Sequence, residues 1–211
     1  MKTEQLLEAL VADQASRRQP IARSLVGALA LGVGVSLLFF LVELGVRADI
    51  AAALETWRFD LKVVTVLLAL VLAIGVCLDC LRPDAPPHPL RRLLLLLAVV
   101  LTAIAVELVV VPLSGWKGRL VGTNSLICLS MVPVLSLAPL AAILAVLRRG
   151  APASPTLAGA AAGLLAAACG AALYAFHCFD DSPLFVATWY GLAAVPVVAL
   201  GAIAGNRLLR W

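Results

Sequence analysis

LLLLLAVVLTAIAVELVVVP, residues 93–112, is the stretch that decides the fold class. It follows the pair Arg91-Arg92, carries one ionisable residue, Glu107, and stops at a proline. At about 1.5 Å of rise per residue, twenty residues of helix reach roughly 30 Å, the thickness of a bilayer's hydrocarbon core. Outward from this block the same pattern recurs, each apolar run being bounded by charges, Pro or Gly. Six spans are expected, at 24–44, 61–81, 93–112, 126–147, 156–176 and 184–205. The fold class is therefore all-α, an integral membrane bundle of six transmembrane helices.

Composition agrees. Of 211 residues, 63% are hydrophobic and 13% charged, against about 45–50% and 25% in an ordinary soluble domain. The chain divides into an N-terminal segment at 1–23, the membrane domain at 24–205 and a stub at 206–211, which leaves no room for a soluble catalytic domain. The net charge of +4 reflects arginines at helix ends, with no basic stripe for direct nucleic-acid binding. One side of the bundle carries eleven Lys/Arg, from Lys2 to Arg210. The other carries five: Arg47, Arg58, Lys62, Lys117 and Arg119. The richer side is expected to be cytoplasmic, which puts both termini there. With Glu4, Glu8 and Asp13 and no apolar core, the first twenty residues are not expected to be a cleavable signal peptide.

That segment, MKTEQLLEALVADQASRRQP, has the periodicity of a short amphipathic helix. Thr3 can cap it, and Leu6, Leu7, Leu10 and Val11 form an apolar stripe opposed by Glu4, Glu8 and Asp13. So short a helix needs something to pack against: a partner protein, the membrane surface or the underside of the bundle. Its acidic face disfavours the anionic leaflet. Gly159 and Gly163 in the fifth span form a small-xxx-small pair, read as tight packing within the bundle or as a homodimer face. Pro133, Pro139 and Pro196 are expected to bend their helices.

The topology sorts the five cysteines. Cys77 and Cys80, in CLDC, lie at the cytoplasmic end of the second span and, like Cys169, read as small apolar residues. Cys128 and Cys178 fall at the opposite ends of their helices, where a neighbouring pair can form a disulfide or sense an oxidant. His177 beside Cys178 can lower the thiol pKa, while Asp180 and Asp181 pull the other way. With Asp180 and Asp181 it offers a soft-metal alternative, ligated by Cys128, Cys178 and His177. Glu107 is expected to pair with Arg119, Lys117 or a donor near Asn124. No hydrolase, kinase or metalloprotease motif is present and no cofactor is expected. A membrane thiol-disulfide oxidoreductase and a small metal or solute transporter stay open as alternative functions.

The segments GRLVGTNSLICL at 118–129, LRRGAP at 147–152, HCFDDSPLF at 177–185 and the terminal RLLRW, with the MKTEQLLEALVAD start and LGVRADIAAAL at 44–54, resemble the NrsF family. That family comprises negative regulators of an extracytoplasmic-function (ECF) sigma factor. The resemblance implies a six-helix anti-sigma factor of the bacterial inner membrane whose partner is a cognate ECF sigma factor. It also implies that Cys128 and Cys178 match the family's paired sensing cysteines, with Asn124, His177, Asp180 and Asp181 around them.

Overall fold

The computed structural model describes residues 21–80, 88–150 and 152–209, and all the regular structure among them is helical. The chain runs α1 (Ile21–Phe39), α2 (Ile50–Ala53), α3 (Trp57–Cys80), α4 (Leu93–Val110), α5 (Leu113–Val121), α6 (Ser125–Leu147), α7 (Pro155–Tyr174), α8 (Pro183–Phe185) and α9 (Gly191–Leu208). Six stretches are long and apolar enough to cross a membrane: Arg23–Glu43, Trp57–Cys80, Pro89–Val110, Leu113–Leu147, Pro155–Tyr174 and Pro183–Leu208. Apolar helices thus occupy the six expected stretches, the third preceded by a 3-10 turn at Pro89–Arg92, with two further differences. The second starts four residues earlier, at Trp57, because Asp60 and Lys62 are carried on a continuing helix rather than ending it. The segment between Pro112 and Gly122, expected as a loop, forms the nine-residue helix α5. The Trp116 indole N–H donates to the Val111 carbonyl at 2.8 Å and folds this helix back on its entry.

α7 is the centre of the bundle and the most buried of the six spans; it touches α9, α6 and α3, while α1 packs on α6. Glycine makes that centre possible. A Cβ on Gly159 would lie 2.2 Å from the Gly201 carbonyl oxygen, and one on Gly163 would lie 2.6 Å from that of Val197. Gly201 and Gly205 return the same closeness from α9. The Gly159/Gly163 face is therefore filled by this chain's own last helix. That corrects the homodimer reading: a second copy has no access to it, and the pair serves backbone approach inside the bundle. Pro133 and Pro139 lie within α6 and Pro196 within α9, and both helices continue through them. At Pro139 the α1 backbone comes close, a Cβ on Gly32 falling 2.7 Å from the Pro139 Cα.

The arginines Arg23, Arg91, Arg148, Arg149 and Arg207 are exposed where these helices begin or end, giving the bundle an arginine-rich end. The other end holds Cys128 and Cys178 and is called the thiol end below. Two apolar clusters fill the interior. One, toward the arginine-rich end, holds Cys77, Cys80 and Cys169 with Leu147, Leu165 and Leu209. The second lies at the thiol end, around Val132, Leu135, Tyr174 and Phe185. The N-terminal residues Glu4, Leu6, Leu7, Glu8, Leu10 and Val11, the loop arginine Arg82, and Arg210 in the stub lie outside the described residues.

Replacing Gly159 by valine should force α7 and α9 apart and cost about 3 kcal/mol or more. Gly27→Ala, where a Cβ meets nothing within 4 Å, should leave stability nearly unchanged. Thermal unfolding of the two detergent-solubilised variants checks the contrast, and equal melting temperatures would refute the close-packing account.

Candidate functional site: two thiols under a cationic clamp

Cys128 lies one turn into α6 and Cys178 in the turn that follows α7; both are free thiols, 0% exposed, in one apolar cluster. Two cysteines expected at the same end thus fall in the same cluster. The helix of Cys128 is initiated from the other thiol's loop. The Asp180 carboxylate accepts from the backbone N–H groups of Thr123 at 2.9 Å and Asn124 at 2.8 Å, and from the Asn124 amide at 3.2 Å. An acid here satisfies orphan amides and complements the helix dipole. Gly122 admits it. With φ of 59° this residue occupies the left-handed region, and a Cβ on it would sit 2.7 Å from the Asp180 carboxylate and 2.5 Å from Phe185.

The loop of Cys178 is clamped by two cations. Lys62 Nζ donates to the Cys178 carbonyl at 2.8 Å, and Arg47 Nη1 donates to the same oxygen at 3.1 Å. Both also pair with Asp181, Arg47 at 2.9 Å and Lys62 in close contact. Lys62 is 2% exposed, so Asp181 and the carbonyl supply the hydrogen-bonded compensation that a buried ammonium needs. Arg47 is further fixed by Asp49 at 2.7 Å and stacks on Phe179, 4.9 Å from its ring centre. Asp49 foremost, and Asp181 with it, hold the guanidinium protonated, while the same Arg47 contact lowers the Asp49 carboxyl below its ordinary value.

His177 does not join the thiols. Its Nδ1 lies 3.1 Å from the Gly45 carbonyl, so the ring ties the turn after α7 to the end of α1. Burial pushes the Cys178 thiol up, a desolvation effect larger than the opposing pull of Lys62. This corrects the reading in which His177 lowers it. Asp180 and Asp181 are likewise committed, one to the start of α6 and the other to the two cations. Among the described residues no group of three His, Cys, Asp or Glu side chains is arranged to hold a metal ion. The proposed Cys128, Cys178 and His177 ligand set is therefore not assembled, leaving two thiols.

Two tyrosines enclose those thiols. Tyr174 and Tyr190 are buried, their rings 5.9 Å apart, and both interact with the Cys178 thiol. Neither hydroxyl makes a hydrogen bond of ordinary geometry. Tyr190 ends a π-helical turn, Val186–Tyr190, whose Trp189 indole donates to the Leu120 carbonyl at 2.8 Å. The sequence reading missed these tyrosines and the Lys62 and Arg47 clamp. Lys62, a lysine on an apolar helix with no acid on its own turn above Asp60, was the available signal.

Glu107 completes the thiol end. It is 0% exposed and pairs with Arg58 at 3.1 Å and Arg119 at 3.7 Å, and it accepts from the Ser182 hydroxyl at 3.3 Å. The expected Arg119 is present. Arg58 and Ser182 were not foreseen.

Asp181→Asn should cost about 3–5 kcal/mol, because Lys62 then remains buried beside a neutral amide. Asp49→Asn should cost far less, since Arg47 keeps Asp181. Denaturant titration in detergent distinguishes them, and equal losses would overturn the shared-carboxylate account.

Residues 10–211 match the family model described as negative regulator of sigma F. A protein of Azospira oryzae named probable anti-sigma-F factor NrsF is 33% identical over 214 residues, covering all of both chains. One of Caulobacter vibrioides named anti-sigma-F factor NrsF is 34% identical over 218 residues, again covering all of both. No solved structure matches the chain. With a family model spanning nearly its whole length and two relatives aligned end to end, this chain belongs to the NrsF family.

Proposed function

We propose that the protein is an anti-sigma factor of the bacterial inner membrane. It holds a cognate ECF sigma factor at the cytoplasmic face and releases it when Cys128 and Cys178 are modified. The observation that carries the reading is the end-to-end similarity to two proteins named as anti-sigma-F factors. The six apolar spans support membrane insertion, and the arginine-rich end supports a cytoplasmic location for both termini. Residues 1–23, with Leu6, Leu7, Leu10 and Val11 opposed by Glu4 and Glu8, are the sigma-binding segment in this reading.

The thiols suit a sensor better than a catalyst. They are sealed from solvent, and Cys178 is kept neutral by burial, so reaction demands local opening or a strongly thiophilic agent. Oxidation would join Sγ to Sγ with two protons and two electrons passing to the oxidant. A soft metal ion would instead displace the two thiol protons and bridge the sulfurs. Either change pulls on the loop that starts α6 and is clamped to α3.

The alternatives lose support from two features. Cys77 and Cys80 belong to a different apolar cluster from Cys128 and Cys178, which disfavours direct exchange between the pairs. The midplane hydroxyls of Ser36, Thr65 and Ser136 each donate to a backbone carbonyl, at 2.7, 2.7 and 2.6 Å. They are spent on helix carbonyls and line no polar path for a solute.

Deleting residues 2–19 should abolish co-purification of the sigma factor from membranes; full retention would move the contact to the loops. Cys128→Ser or Cys178→Ser should keep repression and lose the transcriptional response to oxidants and to cadmium. An unchanged response of both variants to every inducer would reject the sensor role.

A further inference from the structure

α4 turns toward the bundle a stripe that is only half covered. Leu93, Leu96 and Val100 recur at helical spacing and are half-buried, while Leu94, Leu95, Leu97 and Leu101 are more than half exposed on the outer side. Across from the stripe stand small residues, Ala167 and Ala168 of α7 and Ala187 at the start of the last span. Large side chains facing alanines, on a helix that meets the bundle chiefly through α3, leave a slot of about 240 Å³. It extends along α4 from Leu93 to Val100, roughly 10 Å of helix.

The surroundings of the slot decide what can fill it. Every residue lining it belongs to one of the six apolar spans, and it is half-open to the outside. Its walls are almost wholly apolar. The Thr65 hydroxyl there is already donated to the Leu61 carbonyl at 2.7 Å, and the Tyr190 hydroxyl interacts with the Cys178 thiol. An apolar cavity of about 150 Å³ stays dry and takes up benzene, so a larger one with such walls suits hydrocarbon rather than water. A neighbouring cavity shares Thr65, Val100, Val186 and Ala187 with the slot and is lined by Lys62 and Asp181, but it holds only about 10 Å³. That is room for no more than a single water, so a polar headgroup has no way through to the clamp.

We infer that the slot is a binding site for a hydrocarbon chain of the surrounding bilayer, with Tyr190 as the wall it shares with the thiols. Tyr190 and Val186 line the slot and also belong to the cluster that holds Cys128 and Cys178. A chain lying in the slot supplies the leucine stripe with the dispersion contacts that the facing alanines are too short to make. It packs against the same ring whose hydroxyl meets Cys178. The inference rests on the membrane insertion proposed above, and the experiment reports on insertion separately.

The protein is reconstituted in phosphatidylethanolamine vesicles whose lipid carries a diazirine on one acyl chain, then photolysed and mapped by mass spectrometry. Leu97, on the outer side of α4, should be labelled as the mark of insertion, and so should Tyr190, although it is only 6% exposed. Ala168→Phe, and Ala187→Leu from another wall, should each lower labelling of Tyr190 at least fivefold and leave that of Leu97 unchanged. A labelled Leu97 beside an unlabelled Tyr190, or Tyr190 labelling that survives both fillings, would overturn the site. Absence of label on Leu97 would reject insertion itself. The shared wall is read at the thiol. In the same vesicles without the diazirine, Tyr190→Ala and Tyr190→Leu should speed modification of Cys178 by a bilayer-dissolved N-alkylmaleimide at least tenfold, with no change for a charged maleimide, while Tyr190→Phe behaves as the parent. An unchanged alkylmaleimide rate, or an equal rise with both reagents in both variants, would overturn the wall.

Discussion

One carboxylate shared between two cations in an apolar interior governs the thiol end. Asp181 lies against Lys62 and Arg47, and both cations also reach the Cys178 carbonyl. Remove any member and the others are left with charge or hydrogen-bonding capacity that the surrounding Phe59, Phe176 and Phe179 cannot satisfy. The interaction is therefore all-or-none in character. It fixes where the turn after α7 sits, and hence where Asp180 meets the start of α6. The loop after α1 is drawn in by the same residue, because Arg47 also donates its backbone N–H to the Phe176 carbonyl at 3.0 Å.

The two ends of the molecule use opposite physics. Toward the arginine-rich end α7 and α9 pack glycine against glycine, with no side chain between the backbones and nothing able to rearrange without separating them. At the thiol end the contacts are ionic, aromatic and hydrogen-bonded, and the chain twice departs from regular α-helix into π-helical turns, at Phe40–Leu44 and Val186–Tyr190. Such turns leave backbone groups less tightly committed. A rigid stem with an adjustable head is the arrangement expected of a part that receives a change without losing its place in the bundle.

Much of this was legible in the residues. Blocks of about twenty apolar residues located all six long helices, since backbone satisfaction in lipid leaves few other options. The side on which charges fall placed Cys128 and Cys178 together, and the structure brings both into one cluster. What stayed hidden depends on non-local geometry. Lys62 counted only as one of five charges at its end of the bundle, although it is buried there, because its partner Asp181 is 119 residues away. Asp180 and Asp181 looked like candidate ligands beside His177 and Cys178. Adjacent in sequence, they point to different helices, and His177 turns to a third. The helix at Leu113–Val121 escaped notice because Gly115, Gly118 and the polar Trp116-Lys117 pair carry the composition of a loop.

The buried hydroxyls of Tyr174 and Tyr190 have a consequence for how the protein breathes. A thiol is a weak hydrogen-bond partner, so the two hydroxyls beside Cys178 are less well satisfied than they would be in water. Water entering there would satisfy them more fully, which lowers the cost of opening this part of the interior. The sulfurs are sealed in the average structure and lie beside the groups that ease such an opening. Exposure through such an opening would both admit the reagent and remove the burial that keeps the Cys178 thiol neutral.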